Sequence, residues 1–228
     1  MNLDLKITLF FLSIILSFYI AFFNFYDVGR YCSIRNAKTI EPYVEKYSNL
    51  QPFTENSVTV SFTLLNEKDI TSIQPMIISL LDQTYKAHLI LSIVDKKFYV
   101  IPSNYDGNRF LTIDAKENND YKKFTNLVPI ISGNHKEADE KVLVINNNHK
   151  IYGKDFIQQM VQESVKKPKT VIISNSMDVC SSEAYLVEPG FFKRITKDSF
   201  SDDCNWFNNI LLPDIKTSNF RYIENYSY

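Results

Sequence analysis

Apolar residues recur along this chain in two rhythms. Short β-branched runs at 57–64, 89–94, 110–113, 141–145, 170–174 and 184–187 read as strands. Between them, Ile70, Ile73, Ile77, Leu80 and Leu81 repeat at helical spacing across 69–83. Further helices are predicted at 121–131 despite Pro129, at 154–166, where Lys167-Pro168-Lys169 ends the pattern, and at 203–211. A short helix is expected at 42–47, a charged loop at 133–140 and a turn at Pro189-Gly190. Strands alternating with helices predict an α/β domain with a mostly parallel sheet and helices on both faces. The unit over 57–94 should cross over right-handed.

A third pattern stands at the N-terminus. Residues 7–23 carry no charge, and Asn24-Phe25-Tyr26 extends them to an aromatic edge. Some 20 residues span about 30 Å as a helix, enough to cross a bilayer. The rival readings are a cleaved signal peptide, for which no small-x-small site stands near Ala21, and a core helix, which is seldom apolar on every face. The organisation expected is a short tail at 1–6, a transmembrane signal-anchor at 7–26, a polar stem at 27–56 and the α/β domain at 57–228. The chain then reads as a single-pass membrane protein.

Composition narrows the partners. At 228 residues and 45% hydrophobic content the chain can bury one core. A net charge of -1 and the lack of a basic stripe exclude nucleic acid as an expected partner. Five glycines, with no G-x-G-x-x-G and no P-loop pattern, argue against a glycine-rich phosphate loop. Cys32, Cys180 and Cys204 lack metal-ligand spacing; Cys180 and Cys204 pair in an oxidising compartment, or all three remain thiols. Asn225-Tyr226-Ser227 is the one N-x-[ST] site and lies close to the terminus.

Candidate chemistry gathers where Lys141-Val142-Leu143-Val144-Ile145 ends in Asn146-Asn147-Asn148-His149. Open α/β sheets bind ligands at such strand ends. Around this tip lie Ser79-Leu80-Leu81-Asp82-Gln83-Thr84-Tyr85, Asp120-Tyr121, Tyr152-x-x-Asp155 and Ser201-Asp202-Asp203. In this order, over about 57–223, the chain resembles a GT-A-type glycosyltransferase domain. Its members carry two or three aspartates where this chain has amides. Lys122, Lys123 and Asn126 also depart from the family's glycine, proline and lysine.

The resemblance implies transfer of a sugar from a nucleotide-sugar donor to an acceptor hydroxyl on a glycan or glycoprotein, with the domain on the lumenal side. It implies donor contacts from Thr63, Asp120, Asn146, Asn147, Asn148 and Lys150, and a catalytic base at Asp203 or Asp202. The same Ser201-Asp202-Asp203 also reads as an ordinary helix N-cap. The resemblance places Mn²⁺ or Mg²⁺ at this tip, where Asn146, Asn148 and His149 are the candidate ligands. Amides lack the negative charge that holds such hard cations, and the Asn run equally reads as a polar turn. Lys150 or Lys154 can pair with a diphosphate directly, or simply form a solvated helix start. Tyr121, Tyr152, Trp206 and Phe207 can stack on a sugar or base, or serve packing alone. The alternative function is a catalytically degenerate domain that binds a glycan, a nucleotide or a protein.

Overall fold

A computed structural model of the chain describes residues 3–64, 70–94, 101–102, 105, 109–114, 140–192 and 205–221. It divides into two compact units, one built on the N-terminal helix and one spanning Thr39–Tyr222.

The first unit is α1, Leu3–Arg35. It does not stop at the end of the apolar run but continues through Asp27, Arg30 and Arg35. Leu9, Phe10, Phe11, Ile15 and Phe18 are exposed along it. The Ser13 and Ser17 hydroxyls donate back to Phe10 O (2.7 Å) and Ser13 O (2.8 Å). The expected anchor at 7–26 is corrected here: among the described residues no helix is long and apolar enough to cross a membrane. With the anchor goes the expectation of a single-pass membrane protein bearing its domain on the lumenal side.

The second unit is α/β. In chain order it contains α2 (Glu41–Ser48), β1 (Val58–Leu64), α3 (Ile70–Leu81), β2 (Leu89–Val94), β3 (Phe110–Asp114), β4 (Lys141–Ile145), α4 (Phe156–Lys166), β5 (Thr170–Ser174), β6 (Ala184–Val187), a 3-10 turn (Pro189–Phe191), α5 (Asn205–Ile210) and β7 (Lys216–Phe220). The described strands form a seven-stranded sheet in the order β3-β2-β1-β4-β6-β5-β7. All neighbours are parallel except β6, which runs against both β4 and β5. Residues 39–56, which include α2, belong to the same compact unit as the sheet.

Both faces are covered, as the apolar central strands require. Val142, Val144, Val171, Ile173, Tyr185 and Val187 point to one side and pack with Phe191, Phe192, Phe207 and Ile210. Strand alternation puts Thr59, Ser61 and Thr63 of β1 on that side too. α3 and α4 contribute none of the described members of that cluster; Ile73, Met76, Ile77, Phe156, Ile157 and Met160 bury themselves on the opposite face.

The edge where the parallel strands begin is closed by Arg109, just before β3. Its guanidinium donates to Tyr47 O (2.7 Å), Leu50 O (2.5 Å) and Ala87 O, and lies 3.9 Å over the Tyr47 ring. The Tyr47 hydroxyl donates to Ala87 O (2.5 Å). Phe53 stacks on Tyr85 at 4.4 Å, whose hydroxyl meets Glu55 O and Asn56 O at 2.7 Å.

Candidate functional site

Strand order reverses between β1 and β4: β2 and β3 extend to one side of β1, while β4 starts the other half. Beyond the carboxyl ends of such a pair lies the crevice where open α/β sheets take ligands. Phe62 pairs with Ile145, so Thr63 comes level with Asn146 at this edge. The sequence-predicted tip therefore sits at the switch point.

The tip is held from two directions. Asn146 N–H and Asn147 N–H both donate to Glu183 O, at 2.9 and 3.0 Å. The Asn146 side chain donates to Val179 O (3.0 Å) and Ser182 O (3.2 Å), which spends its amide on the loop before β6. Asn147 Oδ1 accepts from His149 N–H (3.1 Å) in an Asx turn. Asn148 Nδ2 crosses to β1 and donates to Thr63 O (2.7 Å).

On the α3 side, Gln83 is fully buried. Its Nε2 donates to Ser79 O (2.8 Å) and Gly153 O (2.7 Å), and its Oε1 accepts from Ile157 N–H (3.0 Å). Thr84 N–H donates to Lys154 O (2.8 Å), and its hydroxyl to Asp155 Oδ1 (2.6 Å). Tyr152 N–H donates to Ser79 Oγ (3.0 Å), while the Tyr152 hydroxyl is shared between Asn147 O and Glu183 O. The Ser79–Tyr85 motif is thus a bracket for the loop joining β4 to α4.

Glu183 is the hub that sequence reasoning missed. Its carboxylate accepts from Lys150 Nζ (2.5 Å) and Asn175 Nδ2 (2.9 Å), and its carbonyl serves the tip and Tyr152. Asn175 has a φ of 55°, a left-handed conformation that asparagine tolerates. Lys150, expected to meet a diphosphate, is ion-paired to Glu183 with only 16% of its side chain exposed.

Of the predicted site residues, Thr63, Asn146, Asn147, Asn148, His149 and Lys150 converge on this edge. Asp120, Asp202 and Asp203 lie outside the described residues. Cys180 is disulfide-bonded and Cys32 is free; Cys204 lies outside the described residues. The donors present do not fit a divalent cation. Asn146 and Asn148 offer uncharged amide oxygens, His149 is exposed, and the Glu183 charge is answered by Lys150. Among the described residues no group of three His, Cys, Asp or Glu could hold a metal.

Two side-chain atoms here have no hydrogen-bond partner: Thr63 Oγ1 and Asn148 Oδ1, both sealed from solvent. Only two other buried side-chain atoms share that condition among the described residues, Ser174 Oγ and Tyr185 Oη. Ser174 ends β5 and Tyr185 is the second residue of the reversed strand β6; strand alternation puts Tyr185 on the face that carries Thr63 and Ser174 on the other. Burial alone pushes the Tyr185 phenol far above its usual range.

The arrangement is an open, mostly parallel α/β sheet with polar side chains gathered at its switch point. No protein-family model and no curated protein matches the chain.

Proposed function

We propose that the Thr39–Tyr222 unit is a binding module whose ligand sits beyond β1 and β4, and that it works without a divalent metal. The observation that carries this reading is the placement of the Asn146–Lys150 tip at the switch point, where strand ends form a crevice. The motif order nominates the ligand class, a nucleotide-sugar or one of its parts. Metal independence is supported by the donor set: amides, an exposed imidazole and a carboxylate paired with a lysine.

Calorimetric titration of the full chain with uridine-, guanosine- and cytidine-based nucleotide-sugars, in Mn²⁺ and in EDTA, tests this. Binding of the same strength in both buffers is expected. Binding that appears only with Mn²⁺ contradicts the metal-free module, and silence across the panel contradicts the binding role itself.

A further inference from the structure

We propose that the disulfide at Cys180 is a redox clamp: it holds the loop between β5 and β6 against the Asn146–Lys150 tip, and its reversible reduction by a dithiol loosens that tip. The device acts on the tip alone and does not depend on what the crevice takes.

Cys180 is disulfide-bonded and Cys32 is free, so in a chain of three cysteines the other half of the bond is Cys204. Cys180 lies in the loop that gives the tip its acceptors. Val179 O and Ser182 O take the Asn146 side chain, and Glu183 O takes the N–H groups of Asn146 and Asn147. Cys204 directly precedes α5 in sequence, and Phe207 of α5 is buried in the same apolar cluster as Val179.

The rest of the loop's support is weak at its crest. Its ends are tied by Asn175 N–H to Phe220 O (3.0 Å) and Glu183 N–H to Ser174 O (3.4 Å). Between them, Val179 joins the core cluster and Cys180 packs against it, whereas Met177 stands 88% exposed. Ser181 N–H and its hydroxyl donate to the Asp178 carboxylate at 2.9 and 2.7 Å, contacts that stay within the loop. A crosslink restricts the opened state, so breaking it makes local opening easier.

Cys180 is half-buried and its neighbour Ser181 exposed, which leaves the bond within reach of a small dithiol. One thiolate of the reagent attacks a sulfur of the bond and displaces the other as a thiolate, which takes up a proton. The second thiol then closes on the mixed disulfide and frees the first cysteine. Two electrons and two protons pass to the protein, and the reagent leaves as its cyclic disulfide.

The test is amide hydrogen exchange on the full chain as isolated, after dithiothreitol and after reoxidation, alongside Cys204→Ser. Reduction should speed exchange at Asn146 and Asn147 by about tenfold or more, while the β1 amides change by less than about twofold. Reoxidation should restore the slow rate. Cys204→Ser, which leaves the loop's own sequence intact, should exchange fast at the tip with or without the dithiol. Alkylation of Cys180 before any reductant is added overturns the proposal, because no bond is then present. Unchanged exchange at the tip of the reduced chain overturns it too. So does β1 exchanging as fast as the tip, which would make the bond a staple of the whole fold.

Discussion

The two edges of the sheet are built on opposite terms. Where the parallel strands begin, Arg109 reaches four backbone carbonyls, Tyr47 covers its cation, and the Tyr47 hydroxyl shares Ala87 O with it. Thr59 donates to Glu140, and Lys141 pairs with Glu188 at 2.9 Å. Where the strands end, Thr63, Asn148, Ser174 and Tyr185 each bury a polar atom that meets nothing. An edge that only has to hold should satisfy its polar groups. One that leaves them unmet gives up stability for some other purpose, and binding is the purpose its position suggests.

The largest break in this comparison comes at Arg109. Arg109→Met keeps much of the side chain's apolar stem but removes the charged donor to the carbonyls of Tyr47, Leu50, Ala87 and His88. Hydrogen bonds to a charged group contribute about 1.5–3 kcal/mol each, and several share this one cation. A loss of about 3 kcal/mol or more is expected in urea unfolding of the full chain. A loss below about 1 kcal/mol, the scale of an exposed ion pair, would show that this edge is not held by its buried cation.

Gln83 is next. Gln83→Leu fills similar space but removes the bonds to Ser79, Gly153 and Ile157 that fix the loop after β4. About 2 kcal/mol should be lost, since three backbone groups lose a partner at a buried site. Because the loop carries the tip, ligand affinity should fall as well. Unfolding and calorimetry on the same variant separate the two effects, and unchanged affinity would detach the bracket from the site.

Much of this contrast could be read in the sequence, and some could not. β4 and β5 announce themselves because central parallel strands are apolar along their length. β7 was not anticipated: Lys216-Thr217-Ser218-Asn219-Phe220 is an edge strand with mostly exposed side chains, and nothing in its pattern distinguishes it from a loop. The reversal of β6 is equally silent, since a four-residue apolar run does not encode direction. The tip was found because polar residues follow a buried strand at once. Glu183 escaped because it precedes β6 in an irregular segment and acts largely through its backbone carbonyl, an atom every residue has. Arg109 escaped for a related reason, as its partners are carbonyls distant in sequence.

A smaller effect comes from Tyr47. Burial pushes its phenol well above the ordinary tyrosine range, against the opposing pull of the Arg109 guanidinium. Tyrosine in the unfolded chain ionises near pH 10, roughly. The native state therefore keeps a proton that the unfolded state loses above that pH. Tyr47's contribution is complete below about pH 10 and is lost as the pH climbs towards the native value. Tyr47→Phe should cost about 1 kcal/mol at neutral pH, from the lost hydroxyl bond to Ala87 O, which keeps its bond from Arg109, and should flatten the alkaline fall in stability. A stability–pH curve in denaturant from pH 7 to about 11 reads both. An unchanged alkaline slope would mean the phenol is not held neutral at this edge.

The sharpest form of the comparison is also the smallest in energy. Tyr185→Phe makes the same chemical change as Tyr47→Phe, but at the other edge, where the hydroxyl has no acceptor and sits beside Phe207 at 5.6 Å between ring centres. Removing a buried group that makes no bond relieves its desolvation cost, so Tyr185→Phe should leave stability unchanged or raise it by up to about 1 kcal/mol. Ser174→Ala, at the end of β5, should behave likewise. Opposite signs for the two tyrosines, measured by thermal unfolding under one condition, would be the signature of one edge built to hold and another left unsatisfied. If Tyr185→Phe destabilises as much as Tyr47→Phe, its hydroxyl has a partner after all, most simply an internal water. The asymmetry would then shrink to the single junction of Thr63 with Asn148.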